Sequence, residues 1–342
     1  MSKPTRLPLL TFAIAFGLTG LAEIWSTAVT YLHAPGSVAE VLWGVAVAAV
    51  LWLIVAHIRA GAGAPERLID QLRHPVQGPL AAIVPVTVML VGAHVASYLP
   101  AVGTTIVLVA LAGGSGYAGW ILAHWLRGNV ALERAHGGSL LPTVALGFVG
   151  SLAAAMIRLD GLAIAMFAVG TFFWMLTSTI VIARIMIHAA LPDALTPTLA
   201  ILLAPPAVAG LAWFAINGHT IDGVALAIAG LAGIVILMQL ALLPRYLALP
   251  FGIGFWSFTF PVAAAAMYVI EWLAVVQPFG WQTAAWLLVA AVSSLVLGIA
   301  VRSVRLSPVY PRVNRQPSSH VLQDSTTSRD GSVDAGGAFP SP

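Results

Sequence analysis

Gly223-Val-Ala-Leu-Ala-Ile-Ala-Gly-Leu-Ala-Gly-Ile-Val-Ile-Leu-Met-Gln-Leu-Ala-Leu-Leu243 runs for 21 residues without one charged side chain. At 1.5 Å per residue this stretch covers ~31 Å as a helix, against ~30 Å of bilayer hydrocarbon. Nine further stretches share its character. The ten predicted spans are 9–33, 37–58, 79–98, 101–126, 142–158, 160–185, 196–216, 221–243, 252–277 and 280–302. Threaded alternately, they place Lys3, Arg6, Arg59, Arg67, Arg73, Arg127, Arg134, Arg184, Arg245, Arg302, Arg305, Arg312, Arg315 and Arg329 on one side, and only Arg158 on the other. The excess of Lys and Arg marks the cytoplasmic side. The expected topology is a polytopic, all-α protein of the cell membrane with both termini in the cytoplasm.

Composition agrees. Hydrophobic residues make up 60% of the chain and charged residues 8%, with a mean hydropathy of +0.96. That balance excludes an ordinary soluble domain. The net charge of +3 is spread over separate loops, so it reads as a topology signal and not as a nucleic-acid surface. The chain has no cysteine, which removes disulfides and thiolate metal sites. Met1 to Arg6 and the apolar run behind them imitate a signal peptide. The run is too long and carries Glu23, so it reads as a retained first helix. The sequence divides into an N-terminal cytoplasmic arm at 1–8, a ten-span transport domain at 9–302 and a tail at 303–342. Ser, Thr, Pro, Gly and Asp dominate the tail, which is expected to be disordered.

Odd spans begin near 9, 79, 142, 196 and 252, a recurrence of 54 to 70 residues that suggests five two-helix hairpins. Prolines separate the two classes. Pro85 lies in span three, Pro205 and Pro206 in span seven and Pro261 in span nine, while Pro142 opens span five. No proline falls inside an even span with these limits. A proline removes a backbone hydrogen bond and kinks a helix, and in lipid the freed carbonyl needs a partner from protein or water. Kinked odd spans are therefore expected inside, around a cavity, with straight even spans outside. Gly17 and Gly20 in span one, and Gly113, Gly114, Gly116 and Gly119 in span four, favour close backbone approach.

Gly252-Ile-Gly-Phe-Trp-Ser-Phe-Thr-Phe-Pro261-Val-Ala-Ala-Ala resembles the ninth helix of the tellurite-resistance/dicarboxylate transporter (TDT) family. That family includes TehA-type proteins and the slow anion channels of guard cells. Phe16-Gly-Leu-Thr-Gly-Leu-Ala-Glu23-Ile-Trp25 and His74-Pro75 agree in order and position. The resemblance implies five hairpins in a ring, a pore lined by the odd helices, and a homotrimer whose protomers each carry a pore. It further implies passage of small inorganic anions or C4-dicarboxylates, with a link to tellurite resistance. The family's pore-plugging phenylalanine corresponds to Phe260, with Pro261, Gly252 and Gly254 as its hinge. An aromatic ring in a narrow apolar constriction blocks ions by sterics and dewetting. The plainer alternative is that Phe260 packs against its neighbours as most membrane phenylalanines do.

Three polar groups stand out inside the spans. Glu23 lies ~21 Å along span one, where an ionised, unpaired carboxylate is costly. It is either a proton-coupling group of a dicarboxylate or oxyanion carrier, or a hydrogen-bonding partner of a neighbouring helix. Glu271 and His94 lie toward the outer ends of spans nine and three, in a vestibule or simply at the interface. Gly113-Gly114-Ser115-Gly116 imitates the nucleophile motif of an intramembrane protease. His94 lies at a different depth from Ser115, so the base that a serine nucleophile requires is missing. No Walker A loop, H-E-x-x-H pair or paired carboxylates are present, so no enzyme activity, cofactor or metal is expected.

Overall fold

Ten helices, each long and apolar enough to cross a bilayer, make up most of residues 6–128 and 131–306, which the computed structural model describes. Most of the tail, and the first residues of the N-terminal arm, lie outside that range. The spans run Leu9–Leu32, Gly36–Ala62, Gly78–Ala96, Pro100–Leu126, Gly137–Met156, Asp160–Ile187, Thr196–Asn217, Gly223–Leu247, Ile253–Val276 and Trp281–Arg305.

Burial sorts the spans into two layers. In the odd spans 56–83% of the most apolar window is buried, and in the even spans 11–33%. Successive odd spans touch in the order one, three, five, seven, nine and back to one, which closes an inner ring. Spans two, four, six and eight each pack outside the odd span before them. Span ten ties to two inner spans: Trp25 Nε1 donates to Ser293 Oγ at 3.1 Å, and Trp256 Nε1 donates to Ser303 Oγ at 3.0 Å. The outward faces of the even spans present Trp52, Phe172, Met175 and Leu226, all strongly exposed. Such a surface suits hydrocarbon and not water.

The backbone differs between layers. Even spans are continuous α-helices of 25 to 28 residues. Every odd span starts as a tighter 3₁₀ segment and then relaxes into α-helix. The 3₁₀ segments are Leu9–Phe12, Gly78–Ala82, Gly137–Leu140, Thr196–Leu203 and Ile253–Phe258. The α segments are Ala13–Leu32, Ile83–Ala96, Leu146–Met156, Ala204–Asn217 and Thr259–Val276.

Pro85, Pro205, Pro206 and Pro261 all fall in the first turn of an α segment. A residue there has little or no intrahelical N–H bond to lose, so the break lies just before the proline and not at it. Two of the shifted span boundaries change where a proline falls. Span five begins at Gly137, ahead of the expected 142, and Pro142 sits inside a π-helical turn, Leu141–Ala145. Gly137-Gly138-Ser139 has loop-like composition but is buried, and a Cβ on Gly137 would lie 1.8 Å from the Thr198 carbonyl oxygen. Span eight continues to Leu247 and so contains Pro244 in its last turn.

Short turns join the spans at the end away from the termini. Gly218 caps span seven in the left-handed region at φ 69°, which glycine adopts without cost. Asp222 then caps span eight, its side chain accepting from Ala225 N at 2.8 Å and from Trp213 Nε1 at 3.0 Å.

Candidate pore and gate

A cavity of about 40 Å³ lies where the 3₁₀ segments give way to α-helix. All five odd spans line it and no even span does: Phe16, Ile83, Val144, Val208 and Phe260 each come from a different one. Among the described residues the wall is apolar apart from Ser257. That volume holds roughly one to three waters and no hydrated ion. The ring axis is closed here.

Phe260 borders the cavity and is only 4% exposed. Its ring stacks on Phe16, with centroids 3.7 Å apart and planes 16° from parallel. The backbones allow this because span one offers glycine where span nine arrives. A Cβ on Gly20 would sit 3.2 Å from the Phe260 ring, and one on Gly17 would sit 2.1 Å from Thr259 Oγ1. Thr259 is fixed in turn, its hydroxyl donating to the Trp256 carbonyl at 2.7 Å. Phe258 points elsewhere, packing edge-on against Tyr246 at 4.8 Å.

Phe16 went unmarked as a site residue in the sequence. The signal available was its position four residues before Gly20, on the same helical face. Of the expected hinge residues, Gly252 is extended with open space around its Cβ position, and Gly254 lies 3.0 Å (from an added Cβ) from the Ala194 carbonyl oxygen. Of the four glycines singled out in span four, Gly114 alone makes a close approach, to Leu146 and Pro85. Gly113, Gly116 and Gly119 have nothing within 4 Å. Ser115 is on the exposed face of that span.

The three polar candidates do not gather at one point. Glu23 follows Phe16 and Gly20 on the same face of span one, one turn farther from the terminal end. Its Oε1 is shut off from solvent with no hydrogen-bond partner among the described residues. Glu271 is bridged at the outer end: Tyr31 donates to its Oε2 at 3.0 Å, and His219 Nε2 lies 2.9 Å from the same oxygen. The carboxylate draws the His219 pKa above its ordinary value. His94 lies in a separate cluster, with Nε2 3.2 Å from Glu40 Oε2 and its ring stacked on Trp43 at 4.2 Å. Among the described residues no cluster of three or more His, Asp or Glu side chains is placed to hold a metal ion.

Comparison with known proteins finds relatives along most of the chain. The chain is 25% identical over 267 residues to the "Tellurite resistance protein TehA homolog" of Haemophilus influenzae, covering 78% of this chain and 81% of that one. It is 24% identical over 317 residues to the "S-type anion channel SLAH3" of Arabidopsis thaliana, covering 87% of this chain and 48% of that one. A second Arabidopsis protein, "S-type anion channel SLAH2", is 24% identical over 283 residues, covering 78% and 53%. The chain thus spans about half the length of these plant relatives. The family model described as SLAC1, voltage-dependent anion channel, matches residues 6–304. The family is one of channels and transporters and not of enzymes. With that match over nearly its whole length, this ten-span chain belongs to the SLAC1 voltage-dependent anion channel family.

Proposed function

We propose that the chain conducts small anions along the axis of its inner ring, with Phe260 as the plug and Phe16 as the ring it closes on. The observation that carries this reading is the cavity: one wall from each odd span, none from an even span, and two stacked aromatic rings at its side. A channel needs a path enclosed by protein through the bilayer, and a closed inner ring has that path as its axis. The basic loops face the cytoplasm of a cell membrane, with both termini inside, and three protomers with separate pores form the assembly.

The apolar wall argues for the kind of anion. It offers no fixed charge with which to strip the water from a doubly charged ion, so weakly hydrated monovalent inorganic anions pass more readily than C4-dicarboxylates. A link to tellurite resistance rests on the name of the bacterial relative. The carrier alternative rests on Glu23, whose buried Oε1 faces no partner among the described residues and lies on the face that carries Phe16.

Reconstitution into liposomes tests the proposal. Nitrate, chloride, sulfate and malate fluxes are measured at fixed membrane potential, with and without a pH gradient. The channel reading expects potential-driven flux, greatest for the monovalent ions, that needs no pH gradient. Flux that appears only with a pH gradient replaces it with the Glu23 carrier, and flux no greater than in empty liposomes removes it.

A further inference from the structure

Arg184, near the terminal end of span six, is the one Lys or Arg buried among the described residues, at 5% exposed. A guanidinium at a membrane interface ordinarily extends its head to water. This one does not. Its Nε donates to the Glu133 backbone carbonyl at 3.0 Å, while its Nη1 is shut off from solvent with no acceptor among the described residues. Glu133 turns its carboxylate instead to His188, Oε1 to Nδ1 at 3.7 Å, so no Asp or Glu carboxylate pairs with Arg184 among the described residues.

A buried guanidinium with an unused donor and no carboxylate partner among the described residues is costly, and an anion that accepts from that donor removes much of that cost. His136 Nε2 lies 3.1 Å from the Val76 carbonyl, and its Nδ1 accepts from Gly138 N at 3.0 Å. Burial and the Arg184 charge, opposed by the Val76 contact, leave the His136 pKa at about 4, so this ring is neutral at physiological pH.

The position joins Arg184 to the pore. His136 caps the 3₁₀ segment that runs into Leu140 and Leu141 of the cavity wall. A Cβ on Gly138 would touch the His136 ring on one side and Leu80 on the other, and Leu80 lines the cavity. Span six packs on this segment, and the Arg184 charge is felt at His136, so the guanidinium lies beside the stretch that leads into the cavity wall.

We propose that Arg184 is an anion-binding subsite at the basic mouth of the pore, holding a small inorganic anion through its free guanidinium N–H groups before that anion enters the axis. The proposal rests on the anion-transport reading and names a residue that concentrates the permeant ion. Charge-assisted guanidinium contacts are the strong class of hydrogen bond, and a guanidinium, unlike an ammonium, keeps one N–H on Glu133 while presenting others.

The test uses the full chain in phosphate-free detergent, titrated with nitrate against gluconate at constant ionic strength while thermal stability is followed. The parent is expected to be stabilised saturably, Arg184→Gln not at all, and Arg184→Lys partly. In liposomes the half-saturating nitrate concentration on the basic side should rise about tenfold in Arg184→Gln, equivalent to about 1.4 kcal/mol. Maximal flux should stay within about twofold, and Arg184→Lys should fall between. A purely structural role predicts lower stability with half-saturation unchanged, and that result overturns the proposal. So does an Arg184-dependent shift produced by phosphatidylglycerol and not by nitrate, which makes the site a lipid-phosphate clamp. If Arg184→Gln does not fold, the parent titration and Arg184→Lys still decide. Absence of any flux from the parent defeats the transport reading, while the detergent titration continues to report on Arg184 alone.

Discussion

Phe260→Ala separates a plug from a packing residue, because the two roles move flux and stability in different directions. Phe260 is buried and its stack on Phe16 is close and nearly parallel. An aromatic pair of this kind contributes ~0.5–1.5 kcal/mol beyond area burial. If that contact holds the closed state, its loss alone raises the open fraction by about two- to tenfold, at ~1.4 kcal/mol per decade. Phe16→Ala is expected to show an increase of this size. Phe260→Ala also removes the obstruction itself, so its flux should rise by more than the ~tenfold that stacking alone supplies. The double variant should exceed both, since either ring left alone still narrows the axis. A Phe→Ala change in a well-packed core costs ~3–5 kcal/mol. Phe260 already borders a void of about 40 Å³, so the loss in thermal stability should fall below that range. Phe258→Ala, directed at Tyr246, serves as the control and should leave flux unchanged. The assay is anion flux from liposomes loaded with protein of verified monodispersity. A well-folded Phe260→Ala protein that conducts no more than the parent would refute the gate.

The seat beneath the gate is tested by Gly17→Ala, whose new Cβ would press on Thr259. It should cost ~1–3 kcal/mol in thermal unfolding, whereas Gly113→Ala, with open space around it, should be neutral or slightly stabilising. The His219–Glu271 contact gives a pH dependence of known sign. Because the folded-state pKa of His219 is raised, its contribution is fully present below ~6.5 and lost as pH rises through the raised value. Melting temperature against pH should show that loss in the parent and a flat profile in Glu271→Gln; equal profiles would dismiss the contact. Glu23→Gln keeps shape but cannot ionise, so flux and its pH response should be unchanged in a channel, and abolished pH-driven flux would establish the carrier. Reporter fusions after Arg305 should signal cytoplasm and one in the Asn217–Asp222 turn the exterior, and an external C-terminus would break the ten-span weave.

Much of the architecture was legible in the sequence because hydrocarbon imposes local demands. Each span must be long and apolar enough by itself, so Gly223–Leu243 declares a crossing without reference to any other residue. The prolines likewise pointed to the odd spans as the inner layer. They stood a few residues past the breaks, since a helix tolerates proline in its first turn. Gly137-Gly138-Ser139 falls before the expected start of span five because small polar composition looks the same whether it is exposed or pressed against another backbone. Phe260 could be nominated from the ninth-span motif, but its partner could not, because Phe16 and Phe260 meet only when span one closes the ring on span nine. Tyr31 and Glu271, 240 residues apart, pair for the same reason. Arg184 reads in sequence as an ordinary interfacial arginine, and only the packing of the Glu133–Ser139 segment against span six buries it. The chain by itself thus determined the membrane, the number of crossings and their division into two classes, all set by residues within one helix. Tertiary structure alone decided which side chains face one another across the axis, because contact between distant helices depends on their rotation and depth, which no single span encodes.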